Sequence, residues 1–155
     1  MRHLIFALCC LAAATFTAPP AAATEGLTAA EINAPAMQAQ LMNAASLIGA
    51  VGHCEVVLNH PNPDKVDETA YERLFSMLRP LAGDPDVADL ARGANHVVNY
   101  AMRTGDLRAA EPDEGGGFRV TNQQVMTSGA VCQETVEKLK ALLEPGALLS
   151  PGRNL

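Results

Sequence analysis

Cys54 and Cys132 each fall within a run of apolar residues that recur every three or four positions. That spacing puts each cysteine on the buried face of a helix. Both stripes must face one core, so the two sulfurs are expected to meet where the two helices pack. The bridge would close a loop of about 78 residues, worth roughly 4.5 kcal/mol on the chain-entropy account. For a chain with two Tyr, four Phe and no Trp, that is a large part of a net stability of about 5–15 kcal/mol.

The first stripe comprises Met37, Leu41, Ala44, Ile48 and Val51, and continues through Leu47, Cys54 and Leu58. The helix is expected to start near Asn33, with Pro35 in its first turn, where a missing N–H costs nothing. Pro61 and Pro63 end it. Just before it, Thr28 and Glu31 have the spacing of a capping box for a short helix. A second helix is expected from about Asp67 to Leu81, with Tyr71, Leu74, Phe75 and Leu78 as its apolar face and Pro80 and Gly83 at its end. The third starts with Asp84 as N-cap and Pro85 at the first helical position. It buries Val87, Leu90, Ala91, Ala94, Val97, Val98 and Ala101 and finishes near Arg103 and Gly105.

Asp106 to Val120 reads as a loop, given Pro112 and the run Gly115, Gly116 and Gly117, with at most a short extended piece at Phe118–Val120. A fourth helix is expected from Thr121, with Gln124 completing a capping box. Its stripe is Val125, Gly129, Cys132, Val136, Leu139 and Leu143, and Pro145 and Gly146 stop it. The expected fold is therefore all-α: a small bundle of about four main helices stapled by Cys54–Cys132. Gly49, Gly52 and Gly129 predict close approach of helix backbones beside the disulfide. The expected organisation is a signal segment at residues 1–23, an N-terminal segment at 24–33, a helical domain at 34–145 and a flexible tail at 146–155.

The leader reading rests on three parts. Arg2 is a positive start, Leu4 to Phe16 is an uncharged, largely apolar run, and Pro19 and Pro20 precede the small residues Ala21, Ala22 and Ala23. This is the form of a secretory signal, and the run is short for a membrane span of about 20 residues. The mature chain is expected to begin at Thr24 and to have no stable membrane insertion. Cys9 and Cys10 leave with the leader, and an even pair of cysteines in an oxidising compartment reads as a disulfide. Arg outnumbers Lys among the 11 basic residues and Ala is abundant, which points to a GC-rich bacterium and to the periplasm or the outside of the cell.

Loss of the leader removes Arg2 and no acidic group, so the formal charge of −6 becomes more negative still. A chain this acidic has no basic stripe to displace counterions from nucleic acid. Few aromatics leave little for gripping sugars or bases by stacking. No cofactor or metal is expected. His53, Cys54 and Glu55 are consecutive on a helix and point about 100° apart, so they cannot converge on one atom. His60 belongs to a Pro-rich turn. His96 shares a polar helix face with Asp89, Arg92, Asn99 and Arg103. The Gly-rich run lacks a phosphate-loop context and has acidic neighbours. No nucleophile motif is present, so no catalytic residue is assigned. Met42, Met102 and Met126 flank the main stripes, and methionine suits adaptable contacts, so these three are the expected binding surface. The functional expectation is a non-enzymatic envelope protein that binds another envelope or secreted protein as subunit, inhibitor or chaperone-like factor. The alternative is a carrier of a small apolar ligand in an interhelical cavity.

Overall fold

The computed structural model describes residues 26–149. The leader at 1–23, with Cys9 and Cys10, and the end of the tail at 150–155 lie outside the described residues. The elements in chain order are α1 (Ala29–Ile32), α2 (Pro35–Val56), α3 (Val66–Leu78), α4 (Pro85–Thr104), β1 (Asp106–Pro112), β2 (Phe118–Val125) and α5 (Gly129–Leu142). Short 3-10 turns follow α3 at Arg79–Leu81 and α5 at Ala147–Leu149. The architecture is mostly helical, and α2 to α5 without the hairpin are the four main helices expected. It is not purely all-α, because β1 and β2 form an antiparallel hairpin.

α2 organises the molecule. Residues 35–54 contain no Asp, Glu, Lys or Arg, and 16 of the 22 residues of α2 are buried. A helix buried on nearly every side is the centre of a fold, with no single stripe. α3, α4, α5 and β1 all pack against it. The main core gathers Leu41, Ile48, Leu74, Val87, Val98 and Leu139, among others. At α4 the backbones come close: a Cβ on Gly49 would lie 2.3 Å from the Val98 carbonyl oxygen and 2.7 Å from Ala101 Cβ.

The Cys54–Cys132 disulfide joins α2 to α5, with the Cα atoms 5.8 Å apart. Both cysteines are fully buried, in a small cluster with Ala50 and Met126. Gly49 and Gly52 serve the crossing with α4 and not the disulfide, as the contacts at their missing side chains show. Gly129 has no close neighbour beyond ordinary contact, His60 Nδ1 at 3.8 Å from a built Cβ.

The helix ends follow their local chemistry. Thr28 and Glu31 close a capping box on α1. Asp84 Oδ1 accepts from the backbone N–H groups of Asp86 and Val87 at 3.0 and 3.1 Å. Gly105 ends α4 with φ 73°, a left-handed conformation that glycine adopts freely. The start of α3 is unusual. Lys65 is at φ 47°, and the Asn62 side chain accepts from Val66 N–H at 3.2 Å, doing the work of an N-cap.

The hairpin corrects the expected loop and the expected start of the fourth helix. Thr121 and Gln124 are strand residues, not a capping box, and Val125 is exposed on β2. α5 begins only at Gly129. Asp113 builds the turn: its Oδ1 accepts from Gly115 and Gly117 N–H, and Gly116 takes φ 86°. Thr121 is an extra residue on β2, since Ala109 faces Asn122 and Ala110 faces Val120. The outer edge of β1 is satisfied by α2. The Asn43 side chain donates to Ala110 O at 2.9 Å and accepts from Ala110 N–H at 2.6 Å. Ser46 Oγ accepts from Arg108 N–H at 2.8 Å. Two polar residues in the uncharged stretch of α2 thus stand in for a third strand. The start of the expected flexible tail is also docked, with Ala147 and Leu148 buried.

Candidate functional site

Between α3 and α4, over Ile48 of α2, lies a groove of about 350 Å³. α3 contributes Asp67, Glu68, Tyr71 and Glu72, two pairs four residues apart on one face. α4 contributes Asn95, Val98, Asn99 and Met102, again at helical spacing. Each helix turns its main stripe, Ala70 and Leu74 in α3 and Leu90 and Ala94 in α4, to the core. The flanking faces are left to form the walls.

The groove has an apolar side and an acidic side. Ile48 and Val98 are buried and Met102 is half-buried. Tyr71 is 38% exposed and tilts against Phe75 with ring centroids 4.4 Å apart. Its hydroxyl donates to Asn95 Oδ1 at 3.2 Å, tying the two walls together. Asn99 Nδ2 donates to the Asn95 carbonyl at 2.8 Å. Three of the nine lining residues are acidic and none is basic, so the lining itself is negative, with Lys65 beside it paired to Glu68.

Asp67 differs from the two exposed glutamates. It is only 8% exposed, and its Oδ1 accepts from Asn62 Nδ2 at 2.6 Å. Asn62, itself buried, also donates to Glu55 Oε2 at 3.0 Å. Gly52 makes room beneath: a Cβ there would lie 2.9 Å from Met102 Cε and 3.4 Å from Asp67 Oδ2. Near the groove, Lys65 pairs with Glu55 and reaches Glu68 Oε1 at 3.7 Å. The hydrogen bond from Lys65, helped by that from Asn62, holds the Glu55 carboxyl below its ordinary range. The same bond raises Lys65 above its own.

An acidic rim over an apolar floor with an aromatic ring receives a cation on an aliphatic stem. The expected methionine surface meets this site at one residue. Met102 lines it. Met42 and Met126 are buried and are not available as a surface. Met42 fills the space that Gly93 leaves, its Cε 3.1 Å from a built Cβ. Met126 packs beside the disulfide and accepts a contact from Thr135 Oγ1 at 3.5 Å. Methionine here is doing what a flexible apolar chain does in irregular gaps.

The histidines lie apart. His53 is buried. Its Nδ1 lies 3.0 Å from the Met102 carbonyl oxygen, and its ring fills the space over Gly105. His60 is half-buried in the α2–α3 connection, and His96 is exposed on α4. Among the described residues, no group of three or more His, Cys, Asp or Glu is placed to hold a metal ion. No helix of the described residues is long and apolar enough to cross a membrane.

Sequence reasoning missed Asp67, Glu68, Glu72, Asn95 and Asn99 as parts of one site. The signals were the carboxylates at 68 and 72 beside Tyr71, and the asparagines at 95 and 99, each pair on one helix face. Nothing in either segment says that the two faces adjoin. Comparison of the chain with known protein families, with curated proteins and with solved structures finds no match.

Proposed function

We propose that this chain is an exported, non-catalytic protein that works by binding another envelope or secreted protein through the α3–α4 groove. The observation that carries the reading is the groove itself: an apolar floor under three carboxylates with no basic residue in the lining. Such a surface selects a positively charged, partly apolar segment and repels acidic ones. The fully buried disulfide fits an oxidising compartment, as does the leader pattern at residues 1–23. The carrier of an apolar ligand is the weaker reading, because charged and amide side chains make up more than half of the lining.

The test is a photo-crosslinking residue in place of Tyr71, introduced in cells that make the protein naturally. One discrete protein adduct is expected. Reversing the rim with Glu68→Lys and Glu72→Lys should abolish it, and the same crosslinker at the exposed Arg92 should give none. An adduct that survives charge reversal, or that forms equally from position 92, removes the groove as the docking site.

A further inference from the structure

We propose that the free edge of β2 pairs with β2 of a second copy of this chain, antiparallel about a two-fold axis, so that two hairpins join into one four-stranded sheet. The inference is independent of the groove and goes beyond the docking reading above. Among the described residues the sheet has two strands. α2 satisfies the outer edge of β1, and the opposite edge, that of β2, is open. Arg119, Val120, Thr121, Gln123, Gln124 and Val125 are all exposed, so β2 is wet on both faces as well. A strand edge carries a row of N–H and C=O groups that another strand completes. Apart from the bulge, the devices that keep such edges apart are scarce: residues 118–125 hold no Pro, no Lys and no acidic group, and one Arg. A two-stranded hairpin is itself marginal until more strands join it.

The bulge says which strand fits. Arg108 and Ala110 turn their backbone groups to α2. Leu107, Ala109 and Glu111 therefore turn theirs to Gln124, Asn122 and Arg119 of β2. The β2 residues that turn theirs away are Phe118, Val120, Gln123 and Val125. Because Thr121 is the extra residue, these four are spaced two, three and two positions apart, the same order from either end. A regular strand, with outward groups at every second residue, matches one half of that edge and loses the other. An antiparallel copy of β2 matches both halves. Phe118 then faces Val125, Val120 faces Gln123, and the two extra residues meet at the centre. The charges allow the contact. Of the helices and strands named above, β2 is the one with no acidic residue, in a chain of formal charge −6. Copies that repel one another elsewhere can meet there. Arg119 already faces Glu111 within the hairpin. In the dimer it faces the uncharged Gln124 of the second copy, so no like charges are set opposite each other.

The experiment uses the full mature chain with Cys54–Cys132 intact. Sedimentation over a range of concentrations should show a monomer in equilibrium with a dimer. Gln123→Pro removes an N–H that points away from β1, a position where an edge strand tolerates proline. It should weaken the dimer about thirtyfold, since each copy loses one hydrogen bond of ordinary net value. Amide exchange at Ala109, which faces β1's partner within the hairpin, should stay unchanged. A register test stands if that variant does not fold. A tagged Arg119→Cys chain is mixed with an untagged Gln124→Cys chain under mild oxidation, the native disulfide being fully buried. The mixture should cross-link several-fold faster than either chain with itself, because these two positions form a non-hydrogen-bonded pair, where cross-strand Cα atoms come closest. A chain that stays monomeric at the highest concentration, a dimer unmoved by Gln123→Pro, or equal cross-linking alone and mixed overturns the pairing. Protection of the Gln123 and Val125 amides that appears only when the protein captured at Tyr71 is added assigns the edge to a strand of that protein, and overturns it too.

Discussion

Gly49 shows how one missing side chain sets the spacing of two helices. In a helix interior, Gly is about 1 kcal/mol worse than Ala, so local propensity alone makes Gly49→Ala stabilising. The tertiary structure reverses the sign, because the new Cβ would sit 2.3 Å from a backbone oxygen of α4. A carbonyl cannot rotate away as a side chain can. Gly49→Ala is therefore expected to destabilise the protein by about 2 kcal/mol, the scale of overpacking a tight core. Urea unfolding with an unchanged slope checks it, and a rise in midpoint would show that α2 and α4 are not packed this closely. Gly49 and Gly52 were recognisable as close-approach positions from their place on an apolar helix. That the neighbour is α4 and not α5 was not, since a glycine carries no mark of what passes over it. The same holds for Met42 and Met126, whose position beside a stripe fits surface and core equally well.

At the scale of elements, the helices were legible where their ends carry chemistry of their own. Thr28 with Glu31, Asp84 with Pro85, and Gly105 each act within a few residues, so the sequence alone locates them. The hairpin was not legible, because β2 buries almost nothing. A strand exposed on both sides has no reason to alternate apolar and polar residues, and Asn122 to Gln124 do not. β1 is held from the side by α2, through the paired hydrogen bonds of Asn43 with Ala110. Asn43→Ala leaves a backbone N–H and C=O without those partners, a cost of about 2 kcal/mol. The loss should be local: amide exchange at Ala110 and along the hairpin accelerates, while α4 amides keep their protection. Unchanged exchange at Ala110 would show that the hairpin is held by something other than α2.

At the scale of the whole molecule, the disulfide and the central helix divide the work. α2 supplies the surface on which α3, α4, α5 and β1 all pack, and the bridge to α5 fastens the last long helix to the first. Cys54→Ala with Cys132→Ala removes a constraint on a loop of about 78 residues and should cost about 4 kcal/mol, near the chain-entropy value. The double variant should lower the urea midpoint sharply while helical circular dichroism in buffer is retained. A change below about 1 kcal/mol would mean that packing of α5 alone holds the closure. The sequence by itself determined the helical class, the place of α2, α3 and α4, the cap residues of α1 and α4 and the pairing of Cys54 with Cys132, because each follows from period, turn chemistry or elimination within a short span. Only the tertiary structure decided that α2 is surrounded, that an exposed hairpin stands between α4 and α5, and that Asp67 meets Met102 across a groove. Those outcomes depend on which faces of distant segments adjoin, and a face is a property of one helix while a site needs two.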